Sequence, residues 1–291
     1  MTAMSAWLFL ACFFFLALKE TFAADLWPAE YSFEETYIGE ADVARGPHRV
    51  NNFDESDTLL RFVFTPRVSL GVLRLGFEYE QFSFGFDNGP IPNTLQSVAA
   101  VVGIDTQLSD SILVRVEMMP GVYSQAFKPG TTVFNMPFVV GGTYIYSPEF
   151  QIVAGISVDV ERKYPVLPGG GIRWRFEPQW VLDAVLPTPR LEYEWSKNLT
   201  LYAGGTLKET NFRVSDDFGK SVGIPKLNHA VLTYSEVRAG FGLDWKLTSW
   251  LTLNAEAGYQ PYRNFDFYRA NIRYHQESGA PYGMIALHGA F

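Results

Sequence analysis

The 291-residue chain holds a single cysteine, Cys12, so no intramolecular disulfide can staple it. Charge is scarce too, with Asp, Glu, Lys and Arg together at 19% of residues. The balance is acidic, 31 Asp and Glu against 23 Lys and Arg, which argues against a nucleic-acid partner. A mean hydropathy of 0.00 is too low for a bundle of membrane helices. The longest uncharged stretch beyond the first residues, 129–148, contains Asn135, Pro137, Gly141 and Gly142, a composition that opposes a spanning helix. Catalytic signatures are scarce as well: the chain has no HExxH, CxxC or glycine-rich phosphate loop. No cofactor, no metal and no enzymatic activity are therefore expected.

What the chain has in quantity is apolar and aromatic side chains, 47% and 16% of residues, together with 25 glycines. The apolar run from Trp7 to Leu18 is too short to span a bilayer and fits the core of a secretory signal. Residues 1–23 are expected to be a cleaved signal peptide, leaving residues 24–291 as one domain without cysteine. An exported protein with no disulfide must draw its stability from elsewhere.

Period-2 alternation recurs along the rest of the chain. Leu73, Leu75, Phe77 and Tyr79 alternate with Arg74, Gly76, Glu78 and Glu80. Val237, Ala239, Phe241, Leu243 and Trp245 alternate with Glu236, Arg238, Gly240, Gly242, Asp244 and Lys246. A soluble sandwich turns such apolar faces to a core, whereas a membrane barrel turns them to lipid. Three features favour the barrel. The strands are longer than the soluble norm of about 5–6 residues. Short turns near 66–71, 108–111, 147–149, 177–179, 196–198 and 246–249 alternate with longer connections at 87–93, 124–130, 164–169, 215–228 and 261–280. Aromatics flank the short turns: Tyr146, Phe150, Phe176, Trp180, Trp195, Trp245 and Trp250 form the girdle an interface requires.

The chain ends on Phe291, preceded at alternate positions by Gly289, Leu287, Ile285 and Gly283. This strand resembles the C-terminal assembly signal of bacterial outer-membrane proteins, carried here by Gly283, Ile285, Leu287 and Phe291. Gly289 departs from it, because common members have a bulky residue there. Over about residues 30–291 the chain resembles outer-membrane β-barrels in general. More narrowly, residues 67–82 (RVSLGVLRLGFEYEQF) look like the early hairpin of a barrel family known only as a domain of unknown function, which brings no activity with it. The resemblance implies outer-membrane lipid as surroundings, and the barrel assembly machinery and periplasmic chaperones as partners during biogenesis.

The expected fold is thus all-β: a transmembrane antiparallel up-and-down barrel of about 14 strands, with 12 as the alternative. The strands are expected at 31–43, 57–66, 71–86, 94–107, 112–124, 131–146, 150–163, 169–177, 180–187, 189–196, 199–213, 230–247, 250–262 and 281–291, with a bulge at Pro137. Residues 264–275 read as an extra strand or a folded outer loop. With apolar faces outward, the lumen would be lined by Arg61, Arg74, Glu78, Glu80, Arg115, Glu117, Asp159, Glu161, Arg173, Arg175, Glu192, Glu194, Glu236, Arg238, Asp244 and Glu256. Fourteen strands enclose more room than side chains readily fill, so an open or partly open lumen is expected, with a plug formed by 261–280 as the alternative. Asp54, Glu55, Asp57, Asp216 and Asp217 read as loop charges.

The expected function is a passive, porin-like channel for small hydrophilic solutes in the bacterial outer membrane. A structural or adhesive barrel acting through its loops is the second reading. A lipid hydrolase built on His275, Glu277 and Ser278 is a distant third, because these residues read as a loop with the wrong spacing.

Overall fold

The computed structural model describes residues 28–127 and 134–291; the expected signal peptide lies outside the described residues. Fourteen antiparallel strands close into one barrel. They are β1 (Ala29–Arg45), β2 (His48–Phe64, extended by Arg67–Val68), β3 (Gly71–Gly85), β4 (Thr94–Ser109), β5 (Ile112–Met118 and Gly121–Ser124) and β6 (Phe134–Asn135 and Phe138–Ile145). Then follow β7 (Phe150–Val158), β8 (Val166–Glu177), β9 (Trp180–Asp183), β10 (Arg190–Glu194), β11 (Leu199–Arg213), β12 (Val231–Lys246), β13 (Leu251–Phe267) and β14 (Ile272–Gln276 and Ala280–Ala290). Strands β1 and β14 close the wall through pairs running from Glu30↔Ala290 to Ile38↔Tyr282. No sheet edge is left exposed along that seam, as a lipid environment demands.

The strand boundaries differ from expectation in two instructive places. Residues 44–56 are not a loop: β1 and β2 run on to a tight turn at Gly46, whose φ of +57° suits glycine. Residues 261–280 are not a loop either. They complete β13 and supply the upper part of β14, which pairs with both β13 and β1. Pro137 does interrupt β6, and Pro120 interrupts β5 beside it, because neither ring nitrogen can donate to the ladder.

The additional length has a physical meaning. A membrane strand needs about 9–11 residues, yet β13 has 17. Partway up the wall, the polar and apolar faces exchange sides. On β3 the inward positions are Glu78 and Glu80, then Phe82 and Phe84. The outward ones are Phe77 and Tyr79, then Gln81 and Ser83. On β12 the inward Arg238 and Glu236 give way to Tyr234 and Leu232, while the outward Phe241, Ala239 and Val237 give way to Ser235 and Thr233. On β13 the inward Arg263 is followed by Phe265 and Phe267, and the outward Tyr262 by Asn264 and Asp266.

The barrel therefore has two tiers. The lower tier, at the end of the short turns, is apolar outside and charged inside. The upper tier is polar outside and packed like a soluble core inside. Phe53, Phe82, Phe84, Phe212, Tyr234 and Phe265 are all buried there, with ring centroids 5.2 Å apart for Phe84 and Phe265 and 4.9 Å for Phe82 and Tyr234. A short helix, α1 (Phe218–Ser221), and the turn after it lay Phe218 and Leu227 onto this core. The upper core, rather than a plug from 261–280 alone, fills the upper lumen.

The lower rim carries the aromatic girdle. Tyr146 and Trp195 are largely exposed, and rings pair along the rim from Phe176 through Trp180 and Tyr193 to Trp195. Gly289 also finds its reason here. The Tyr31 ring lies over it, and any Cβ would collide with that ring. Tyr31 and Trp250 in turn pack against Phe291, at 5.4 and 6.4 Å between ring centroids.

The upper core should carry much of the stability. Phe265→Ala is expected to cost about 3–5 kcal/mol in denaturant unfolding. Phe241→Ala, on the outward face of the lower tier and 76% exposed, should change stability in detergent by under about 1 kcal/mol.

Candidate solute pathway

The side chains of the inner wall meet across the barrel. Lys208 on β11 places its Nζ 2.6 Å from Asp57 on β2 and 2.6 Å from Glu80 on β3. Tyr234 on β12 donates to Glu55 on β2 at 2.7 Å, and Arg263 on β13 donates to the same carboxylate at 2.9 Å. These strands are not neighbours, so the contacts cross the interior. Arg238 donates to Thr36 at 2.8 Å and lies 3.4 Å from Glu236, while Gln260 donates to Glu236 at 2.7 Å. Together they form a buried polar floor directly beneath the aromatic core. Each charge there has an opposite partner, which burial requires.

Below the floor the ion pairs separate into groups along the wall. On β1–β5, Arg61 pairs with Glu78 and Glu117, and Arg74 with Glu117, Glu30 and Asp105. Arg115 engages Asp105 with two hydrogen bonds of 2.6 and 2.7 Å, the bidentate geometry of a strong pair. On β8–β10, Arg173 pairs with Asp183 and Glu192, and Arg175 with Glu194. On β11–β14, Tyr202 and Tyr282 both donate to Glu256, and Asn254 donates to Asp244 at 2.6 Å.

Two rows of glycine run across the wall between these groups, and they differ. One row, Gly204↔Gly240↔Gly258 on β11–β13, is covered. Arg190 lies on Gly204 and Tyr282 on Gly240, with 2.7 Å to where a Cβ would stand in each case. The other row, Gly141↔Gly155↔Gly169 on β6–β8, is bare. A Cβ at Gly169 would meet nothing within 4 Å, and at Gly141 and Gly155 it would meet only backbone of the neighbouring strand. The bare row continues from the Asp105↔Arg115↔Gly141 register and is bounded on the far side by Arg173. It is a smooth trough with charge on both flanks. At the lower mouth a cavity of about 430 Å³ opens among Glu30, Ser32, Arg61, Thr252 and His288.

Asp159 and Glu161 stand apart from the other charges. They sit on the β7–β8 loop at the top of the trough and bond to β6, β11 and the turn after β13. Glu55 and Asp57 are strand residues, each 1% exposed, not loop charges. Sequence reasoning missed them along with Lys208, Arg263, Tyr202 and Tyr234. Alternation around Lys208 was a usable signal; Arg263 was hidden by reading its strand as a loop. The His275, Glu277 and Ser278 set is not assembled: Glu277 pairs with Arg49 at 2.5 Å, and His275 sits in register with Asn264 and Ala44. Among the described residues no cluster of three or more His, Cys, Asp or Glu side chains fits a metal.

No family model matches the chain, and no curated protein sequence matches it. Solved structures similar to it are bacterial outer-membrane channels. An outer membrane channel from Pseudomonas putida F1 aligns at 7% identity and a TM-score of 0.48, over 92% of this chain and 97% of the other. The Ralstonia pickettii toluene transporter TbuX aligns at 10% identity and a TM-score of 0.48, over 91% and 90%. The NanC porin aligns at 13% identity and a TM-score of 0.40, over 89% and 98%.

The polar floor makes a direct test of the pairing. Lys208→Met strands Asp57 and Glu80 without their cation and should cost about 3–5 kcal/mol in urea unfolding. Adding Asp57→Asn and Glu80→Gln to that variant should recover most of the loss.

Proposed function

We propose that the chain is a porin-like barrel of the bacterial outer membrane that passes small hydrophilic solutes. The bare glycine trough on β6–β8 is the observation that carries this reading. A barrel wall whose only role is structural gains stability by laying side chains across its interior, as Arg190, Tyr202 and Tyr282 do on the opposite wall. The trough forgoes that packing and keeps charges on its flanks, which suits water and polar solutes. Its lower-tier charges favour cations, because carboxylates outnumber the arginines along the inner wall.

The filled upper tier supports a second reading, a structural or adhesive barrel acting through its upper surface. The loop between β11 and β12 bears on this reading. It buries Phe218 and Leu227 in the core, so it serves the fold more than it offers a free binding arm. Lipid hydrolysis loses the set expected for it, because Glu277 is engaged by Arg49 and His275 lies in the β13–β14 ladder.

Planar-bilayer recording of the refolded chain tests the channel reading, with folding verified by heat-modifiable gel migration. We expect infrequent conductance steps whose size grows with salt and whose reversal potential in a KCl gradient favours potassium. Glu192→Gln with Glu194→Gln frees Arg175, leaves Arg173 with Asp183 alone, and should move that reversal potential toward chloride. Folded protein that never conducts, in this form and in the opened variants below, would leave only the structural reading.

A further inference from the structure

The upper tier does not use the whole wall. At Ser124 and Arg213, β5 and β11 meet in a parallel bridge, with Gln125 N donating to Arg213 O at 3.0 Å. Among the described residues, the strands that enclose the aromatic core are thus β1–β5 and β11–β14. Strands β7–β10 stop lower and stand beside it, and the described part of β6 reaches up to Phe134. The outward face of upper β11, with Glu209, Asn211 and Arg213, consequently looks onto the top of the trough instead of open solvent.

That gap is polar on both sides, and the β7–β8 loop enters it. Asp159, 3% exposed, accepts from Asn135 Nδ2 at 2.9 Å and from Asn211 Nδ2 at 2.7 Å. It thereby ties β6 to β11 across the trough. Asn211 is itself held by the Thr233 hydroxyl at 2.6 Å. Glu161 takes Arg213 at 2.7 Å on one oxygen and Arg269 at 2.9 Å on the other. Arg162, also buried, reaches Glu209 at 3.0 Å. Apart from the Asn135 bond to β6, these tethers join the β7–β8 loop to the exterior of the upper tier, and all are polar or ionic. None of them is an apolar contact of the kind that closes the rest of the upper lumen.

We infer that solutes pass along the β6–β8 trough and leave beside the packed upper tier, and that the loop holding Asp159, Glu161 and Arg162 is the gate over this exit. The inference rests on the channel reading and adds to it a route and a closing device. The chemistry fits a gate. Polar tethers exchange with water at small net cost, whereas an aromatic core separates only with unfolding. The loop can therefore release while the upper tier stays intact.

Two experiments on the full barrel test it. Asp159→Ala, and separately Asn135→Ala with Asn211→Ala, each cut the β6–β11 tie without entering the aromatic core. Each should raise open probability on the order of tenfold while leaving single-channel conductance unchanged. The second experiment uses Gly169→Cys in a chain carrying Cys12→Ser. A positively charged methanethiosulfonate should block current in this variant, faster when combined with Asp159→Ala. Wild-type current that is frequent and unaltered by both tether variants would overturn the gate while leaving the channel standing. Current indifferent to the thiol reagent in the Gly169→Cys variant, with labelling confirmed by mass, would overturn the route. Silence of wild type and both folded tether variants would overturn the channel reading and this inference with it.

Discussion

Lipid accepts only apolar side chains and water favours polar ones, and a strand offers just two faces to satisfy both. The wall of this barrel meets the constraint by exchanging the faces partway up. Below the exchange, Phe77, Val98, Phe241 and Ile285 face outward and the charges face inward. Above it, Gln81, Ser83, Ser235 and Asn264 face outward and a cluster of phenylalanines and tyrosines faces inward. An outer face that turns from apolar to polar at this level suits the upper edge of a bilayer. The polar floor of Glu55, Asp57, Glu80, Lys208, Glu236, Arg238 and Arg263 sits at that level, between the charged lower lumen and the aromatic upper core.

This arrangement explains how the chain does without disulfides. The upper tier is in effect a soluble β-barrel with its own core, standing on a membrane one. Its aromatic contacts supply burial that an open porin wall lacks. The floor then orients the strands by pairing across the interior. The remaining strands, β6–β10, take no part in the upper core, and this exempts them from packing. Gly141, Gly155 and Gly169 there stay uncovered by side chains.

Much of the lower tier is readable in the sequence, since the alternation in 72–80 and 236–246 reports the outward face directly. The short turns fall where the proline, glycine and serine clusters place them. The 180–196 hairpin is also legible, because backbone bonds such as Leu186 N to Gly170 O extend the pairing past the regular strand ends. The upper tier is harder to read. Once the faces exchange, residues such as Asn52, Asp54 and Glu55 present a loop's composition while running as a strand, and 261–280 misleads in the same way. Periodicity carries the pattern of alternation but not which face is wet. Gly289 shows a second limit, because only its register with Tyr31 reveals why a bulky residue cannot stand there. Cross-barrel partners such as Lys208 with Asp57, 151 residues apart in the chain, leave no local trace at all.

The exchange of faces is best tested by single cysteines on the outward face of one strand, in a chain carrying Cys12→Ser and reconstituted in liposomes. Ser83→Cys with Phe77→Cys on β3, and Ser235→Cys with Phe241→Cys on β12, each straddle the proposed level. A bulky membrane-impermeant maleimide should label positions 83 and 235 readily and leave 77 and 241 protected until detergent is added. Equal protection of all four positions would place the upper tier within lipid and contradict the two-tier account.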